Sequence, residues 1–223
     1  MCIAALALVS LLPSPVGASQ VRDLSLTQMA QAAGPVFSGR VLSVKQDEVR
    51  GWPVTRVTFQ LADSLRDAPG ATTTLTFLGS EKTGQFSRKV PGMPTFSVGE
   101  DWVVLAYPPS EVGLTAPVGL YQGAFRVQNP AAGDLREGAG FTVMVPATRR
   151  ALLREMKMQA SPVAPKGGLP AGATVSYDAF MRQLRDLTGA GPSARVMQPD
   201  TAAGGTDLET AAAAAARGNG RQR

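Results

Sequence analysis

Between Val36 and Val145, apolar residues recur at every second position, which is the spacing of strands that bury one face. In one segment Val57, Phe59 and Leu61 alternate with polar neighbours and are expected to point into a core. Turn signals separate six strand candidates, which are Val36–Val44, Val54–Leu61, Thr72–Leu78, Trp102–Tyr107, Leu120–Val127 and Phe141–Val145. The pattern predicts a mainly β fold, a small closed or nearly closed antiparallel barrel, because closure removes exposed sheet edges.

The alternation also predicts which strand residues form the core. Phe59, Leu75 and Phe125 lie at inward positions of three different strands, whereas Thr58 and Thr74 lie at outward positions. We therefore expect the three apolar side chains to be buried and the two threonines to face away from the core.

Helices are expected in the sequence both before and after the predicted barrel strands. Ser25 and Gln28 form a capping box at the start of a helix over residues 24–34. Thr148 is expected to cap a basic helix that continues to Met158, and Ser176 is expected to cap a further helix that ends at a glycine.

Composition divides the chain into four parts. Residues 1–18 are interpreted as a signal peptide and residues 19–145 as a helix-capped β-barrel domain. Residues 146–189 are expected to form a helical C-terminal extension that contains a Pro/Gly-rich linker. Residues 190–223 are rich in Ala, Gly and polar residues and are expected to be a disordered tail.

The signal-peptide interpretation is based on the apolar run Ile3–Leu12. A proline-containing break follows it, and Val16 and Ala18 occupy the positions that a signal peptidase reads, which predicts cleavage after Ala18. The run is too short to cross a bilayer, and no later segment approaches that length. We therefore expect a periplasmic or secreted protein; the alternative interpretation is a short, buried N-terminal helix.

The content of histidine and cysteine excludes the commonest catalytic designs. The chain has no His and one Cys, which removes Ser-His-Asp and Cys-His machinery, imidazole metal ligands, disulfides within the chain and thiolate zinc cages. The adjacent carboxylates Glu100 and Asp101 are interpreted as a polar turn, because neighbours on a strand point to opposite faces. We predict no catalytic residue, no metal site and no cofactor.

The positive charge of the chain is thinly spread. A formal net charge of +5 arises from 22 basic and 17 acidic residues, without a dense Lys/Arg run. This distribution indicates a mildly basic solvated surface, and no nucleic-acid partner is expected.

The segment Gly79–Gly99 joins two strand candidates by a connection that is unusually long for a compact domain. One interpretation is a presented binding loop, with Arg88, Lys89, Met93 and Phe96 as the partner-binding residues. The alternative is an irregular strand from Gln85 to Val90 that packs on the barrel, with Met93 or Phe96 in the core.

Several segments in order also resemble a known family. They are Val36-Phe37-Ser38-Gly39-Arg40-Val41, Thr55-Arg56-Val57-Thr58-Phe59, Val90-Pro91-Gly92-Met93-Pro94, Phe96-x-x-Gly99-Glu100, Val103-Val104-Leu105 and Gly119-Leu120-Tyr121-Gln122-Gly123-Ala124-Phe125. Together they are similar to uncharacterised exported bacterial domains, whose small barrel resembles the oligonucleotide/oligosaccharide-binding (OB-like) barrel of tissue metalloproteinase inhibitors. The likeness covers residues 24–145 and implies an inhibitor or companion of a secreted matrixin-like metalloprotease. The inhibitors' zinc-binding N-terminal Cys has no counterpart in the chain expected after cleavage, so that mechanism is not carried over.

These observations together predict an exported, non-enzymatic binding module whose partner is a secreted protease or another envelope protein. Two alternatives remain open: a carboxylate-dependent hydrolase of envelope polysaccharide, and a structural envelope protein. A converging Asp/Glu pair in a cleft would favour the enzyme, and an exposed apolar patch rimmed by Arg would favour the binding module.

Overall fold

The computed structural model describes residues 22–80, 90–128, 140–157 and 172–191. The helices are α1 (Leu26–Ala32), α2 (Arg150–Glu155) and α3 (Tyr177–Thr188), with a 3₁₀ turn at Leu120–Gly123. The strands are β1 (Val36–Val49), β2 (Trp52–Arg66), β3 (Thr72–Leu78), β4 (Asp101–Leu105), β5 (Leu114–Thr115), β6 (Ala124–Gln128), β7 (Thr142–Pro146) and β8 (Gly172–Ser176).

All eight strands belong to one sheet, in the order β5-β3-β2-β1-β4-β6-β7-β8. Neighbours are antiparallel except for the short parallel pair of β3 and β5. The sheet curls into a half-barrel that is open, since β5 and β8 end the strand order and do not pair with each other. The mainly β fold is confirmed. The predicted closure of the barrel is wrong, because the strand order runs from β5 to β8 without returning to its start.

The hairpin of β1 and β2 is the longest feature of the sheet. Register shifts in β1 bend it, as β-bulges do, and its first half also pairs with β4. At Gly39 the strands approach so closely that a Cβ atom would lie 2.4 Å from the carbonyl oxygen of Gln60. The turn Arg50-Gly51 has positive φ at both residues, 51° and 79°, which matches the right-handed twist of the strands.

Two core layers lie on the two faces of the sheet. The inner layer fills the curled part and includes Phe37, Phe59, Leu75 and Phe77. The outer layer lies between the other face and the helices, and includes Phe125. All five residues of β4 are buried, because this strand has a core layer on each side. Phe59, Leu75 and Phe125 are 0%, 4% and 1% exposed, which confirms their expected burial, although Phe125 lies in the outer layer and not inside the curled part of the sheet.

The helices complete the outer layer. The capping box of α1 forms as predicted: Ser25 accepts from the backbone N–H of Gln28, and the Gln28 side chain accepts from that of Ser25. Ser176 caps α3, and Gly189 ends it with a left-handed φ of 67°. Helix α2 begins after Arg149 without a side-chain cap, so the predicted capping role of Thr148 is wrong.

Two further differences from the sequence pattern concern strands. The predicted strand Leu120–Val127 begins as a 3₁₀ turn, because Gly119 and Leu120 both take left-handed φ values of 61°, and only its second half pairs with β4. Strand β8 is not predicted by the pattern; it pairs with β7 over its whole length. The predicted signal peptide, the linker up to residue 171 and the tail from residue 192 lie outside the described residues.

Candidate functional site

An exposed apolar patch lies at the far end of the β1–β2 hairpin. We call it the hairpin patch, and its residues are Val49, Arg50, Trp52, Leu78, Val112 and Leu114. They border about 640 Å³ of space that is open to solvent. Trp52 is 53% exposed and Leu78 is 41% exposed, which is unusual for large apolar side chains gathered at one place.

Strand register explains why these side chains meet. Val49 lies opposite Trp52, Val54 lies opposite Leu78, and Leu114 lies beside Thr76 in the next strand pair. Residues that face each other across a strand pair, and those two positions further along, share one face of the sheet. Val54, which shares this face with them, is fully buried.

The charges on this face are unevenly paired. Asp47 accepts a bond of 2.6 Å from Arg56. The backbone N–H of Glu48 and the Arg56 guanidinium hold the pKa of Asp47 below its usual value. Arg50 and Lys45 are exposed, and within the described residues no ion pair engages either of them. Among the described residues that line the patch, Arg50 is thus the only charged one, while the exposed Glu48 and Glu111 each adjoin a lining residue in sequence.

A second concavity, which we call the barrel-mouth groove, lies at the end of the curled part of the sheet. It borders about 490 Å³ of solvent-open space and is lined by Val44, Gln46, Thr55, Phe77, Leu78, Gly79, Ser80, Val90, Met93, Pro94, Thr95 and Phe96. Thr55 donates to the carbonyl oxygen of Gly79 at 2.8 Å. Leu78 belongs to both the groove and the hairpin patch.

The groove contains two of the four residues predicted to bind a partner. Met93 is half-buried and lines the groove. Phe96 is only 7% exposed, and its ring packs against those of Phe59, Phe77 and Trp102 at 5.5, 5.4 and 4.9 Å. The structure thus places Phe96 in the inner core layer, as the alternative interpretation of this segment expected. Arg88 and Lys89 lie outside the described residues, and their contacts stay a prediction.

The adjacent carboxylates Glu100 and Asp101 serve separate ion pairs. Asp101 is buried and accepts two bonds of 2.9 Å from the Arg40 guanidinium. Glu100 accepts from the indole N–H of Trp102 at 3.1 Å and pairs with Arg126 at 2.8 Å. Over the described ranges, no group of three or more His, Cys, Asp or Glu residues is arranged to hold a metal ion.

Sequence reasoning missed a buried guanidinium, that of Arg149, which is 2% exposed. It donates to the carbonyl oxygen of Gln122 at 2.7 Å and to the sulfur of Met29 at 3.2 Å, and it lies 5.4 Å from the ring centre of Phe125. Burial lowers the pKa of Arg149, and the charge of Asp23, 3.7 Å away, opposes that effect. The sequence signal was an arginine pair where a helix begins, which the helix dipole disfavours.

The same region ties the N-terminal segment to α2 in both directions. Glu155, at the end of α2, accepts from the backbone N–H groups of Leu26 and Thr27 and from the Thr27 hydroxyl. Asp23, before α1, accepts from the backbone N–H of Ala151 at 2.7 Å. Each segment thus satisfies free N–H groups at the start of the other's helix.

A polar network fixes α3 to the sheet. The hydroxyl groups of Ser38 and Tyr177 lie 2.6 Å apart, and Arg185 pairs with the buried Asp63. Burial raises the pKa of Tyr177 well above its usual value, although the hydrogen bond with Ser38 opposes the shift. Because these groups are hydrogen-bonded inside the outer layer, they have a structural role.

Comparison with protein-family models, with curated proteins and with solved structures finds no match for this chain. In the described part of the chain, no helix combines the length and the apolar character needed to cross a membrane.

Proposed function

We propose that this chain is an exported, non-enzymatic module that binds a protein partner at the hairpin patch. The observation that carries the proposal is Trp52, a half-exposed tryptophan surrounded by apolar side chains and bordered by Arg50. Tryptophan and arginine are the residues most often found at energetic centres of protein interfaces. Trp52, Leu78 and Leu114 belong to paired strands of the sheet, which favours a preformed contact surface over one that must be ordered on binding.

The distribution of carboxylates favours binding over hydrolysis. A carboxylate-dependent glycosidase needs an acid and a second carboxylate facing each other across a cleft. Neither the groove nor the patch has an Asp or Glu among its described lining residues. The buried Asp63 and Asp101 are engaged by Arg185 and Arg40.

Strand connectivity supports an OB-like core within the larger sheet. The first half of β1 pairs with both β2 and β4. The chain after β5 returns to the end of β4. There Ala106 and Pro117 form a β-bridge, and the backbone N–H of Tyr107 donates to the carbonyl oxygen of Ala116 at 2.9 Å. Five strands in this arrangement fit a partly open OB-type barrel, to which β6, β7 and β8 are added.

On the resemblance to exported inhibitor-like domains, the partner proposed first is a secreted matrixin-like metalloprotease of the same host, with another envelope protein as the alternative. The proposal includes cleavage after Ala18 and a periplasmic or secreted location. Intact-mass measurement of the exported product tests this part. Material recovered outside the cytoplasm with Met1 retained would contradict it.

The binding test uses the chain from Ser19 onward and a purified secreted metalloprotease of the host. Trp52→Ala is expected to weaken binding by at least about thirtyfold, since residues at interface centres contribute about 2 kcal/mol or more. Val98→Ala is the matched control, because Val98 is 66% exposed and lies outside the patch. Equal binding by Trp52→Ala and the wild-type chain would refute the hairpin patch as the contact surface.

A further inference from the structure

The hairpin patch is small compared with a protein–protein interface. Six of the described residues border it, whereas stable complexes between folded proteins use about 20–30 residues a side. The patch is also concave, with Trp52 and Leu78 beside open space. A concavity of this size fits one or two apolar side chains of a loop or chain end better than it fits a second folded surface.

Arg50 is the only charged residue among the described residues that line the patch. Arg50 and Lys45 are exposed cations without an ion pair among the described residues. Asp47 shares their face but is held by Arg56. Glu48 is exposed on the neighbouring position, which points to the opposite face of the hairpin. A partner that has a carboxylate next to its apolar group is therefore expected to bind more tightly, because the carboxylate complements the Arg50 charge.

We infer that the hairpin patch recognises a short polypeptide segment in which an aromatic or aliphatic side chain is followed or preceded closely by Asp or Glu. The apolar side chain contacts Trp52, Leu78 and Leu114, and the carboxylate meets Arg50. This inference rests on the proposed function, because it names the partner's chemistry at the same surface. A second copy of this chain is the competing occupant, and concentration-dependent dimerisation tests for it.

The test selects from a displayed library of random short peptides with the chain from Ser19 onward. Enriched peptides are then measured against wild type, Trp52→Ala, Arg50→Glu and the control Arg182→Glu, whose side chain is exposed on α3. We expect enriched peptides to carry an acidic residue next to an apolar one. Trp52→Ala is expected to weaken the binding of these peptides at least about thirtyfold. Arg50→Glu is expected to weaken it about fivefold at low salt and less at high salt. Arg182→Glu is expected to leave binding unchanged.

Four outcomes would overturn the inference, and they also show what fails. If the enriched peptides bind through Trp52 but carry no acidic residue and bind Arg50→Glu as tightly as wild type, the proposed acidic partner is refuted. The proposal that the hairpin patch binds a partner then still holds. Both proposals are refuted if no peptide binds wild type more tightly than Trp52→Ala and if Trp52→Ala also binds the protease as tightly as wild type does. Concentration-dependent dimerisation that Trp52→Ala abolishes assigns the patch to a second copy. Trp52-dependent sedimentation with phosphatidylglycerol vesicles assigns it to a lipid surface.

Discussion

Replacing Arg149 by Ala tests the most unusual feature of the interior. The guanidinium is buried between α1, the 3₁₀ turn and β6, where it donates to the Gln122 carbonyl oxygen and to the sulfur of Met29. The Asp23 carboxylate, 3.7 Å away, is a third exposed, so we expect the ion pair itself to contribute only about 0–1 kcal/mol. The larger contributions therefore come from the hydrogen bonds and from the packing against Phe125.

The magnitude follows from these contacts. Loss of a charge-assisted hydrogen bond that leaves a buried carbonyl oxygen without a donor costs about 1.5–3 kcal/mol. A cavity between Met29 and Phe125 adds to that cost, so we expect Arg149→Ala to lower the free energy of unfolding by about 3–5 kcal/mol. Arg149→Met keeps most of the side-chain volume and removes a buried charge, so its expected loss is about 1–3 kcal/mol.

Urea unfolding followed by circular dichroism measures these differences, provided that the slope with denaturant is unchanged. Arg150→Ala is the matched control, because Arg150 is the next residue and is exposed; its expected effect is below about 0.5 kcal/mol. Equal free energies of unfolding for Arg149→Ala and Arg150→Ala would mean that the Arg149 guanidinium is solvated in solution and not buried.

Three further predictions concern stability. Phe59→Ala is expected to lower the free energy of unfolding by about 2–5 kcal/mol and Thr58→Ala by less than about 1 kcal/mol in urea unfolding; equal losses would contradict the assignment of inward and outward faces. Gly39→Ala forces a Cβ atom towards a backbone carbonyl oxygen 2.4 Å away and is expected to cost at least about 1–3 kcal/mol, so a melting temperature equal to that of wild type would refute the close approach. Burial raises the pKa of Tyr177 in the folded state, so the neutral phenol stabilises the fold fully below the unfolded pKa of about 10, and this stabilisation is lost as pH rises above that value. Thermal melts at increasing pH should therefore show a smaller loss of melting temperature for Tyr177→Phe than for wild type. Identical pH profiles of the two proteins would contradict the prediction.

Sequence reasoning predicted best where one local signal determines the structure. Alternation gave the bounds of β3 as Thr72–Leu78, and the capping box at Ser25 located the start of α1. It predicted β1 only as far as Val44, although the strand continues to Val49, because the polar residues that follow look like a turn. Both faces of a protruding hairpin are partly solvated, so apolar alternation weakens there.

The candidate site depends on that unpredicted extension. Trp52 lies in the extension of the hairpin, and its exposure is determined by where Leu78 and Leu114 lie in neighbouring strands. Such placement is a tertiary property that no local pattern contains. Conversely, Phe96 lay in a segment of turn residues, and only its packing between three other rings shows that it belongs to the core.

The reciprocal capping of α1 and α2 has a consequence for the order of folding. The contact between Thr27 and Glu155 spans 128 positions of sequence, and that between Ser38 and Tyr177 spans 139. Contacts of such long range form slowly, because the entropy of closing the intervening chain must be lost first. When the chain emerges from a ribosome or a translocation channel, the N–H groups at the start of α1 thus lack their Glu155 partner until α2 has followed, although Arg66 of β2 can already donate to the carbonyl oxygens of Ala30 and Ala33. A chain delivered from its N-terminus can complete its inner layer early but seals its outer layer only at the end.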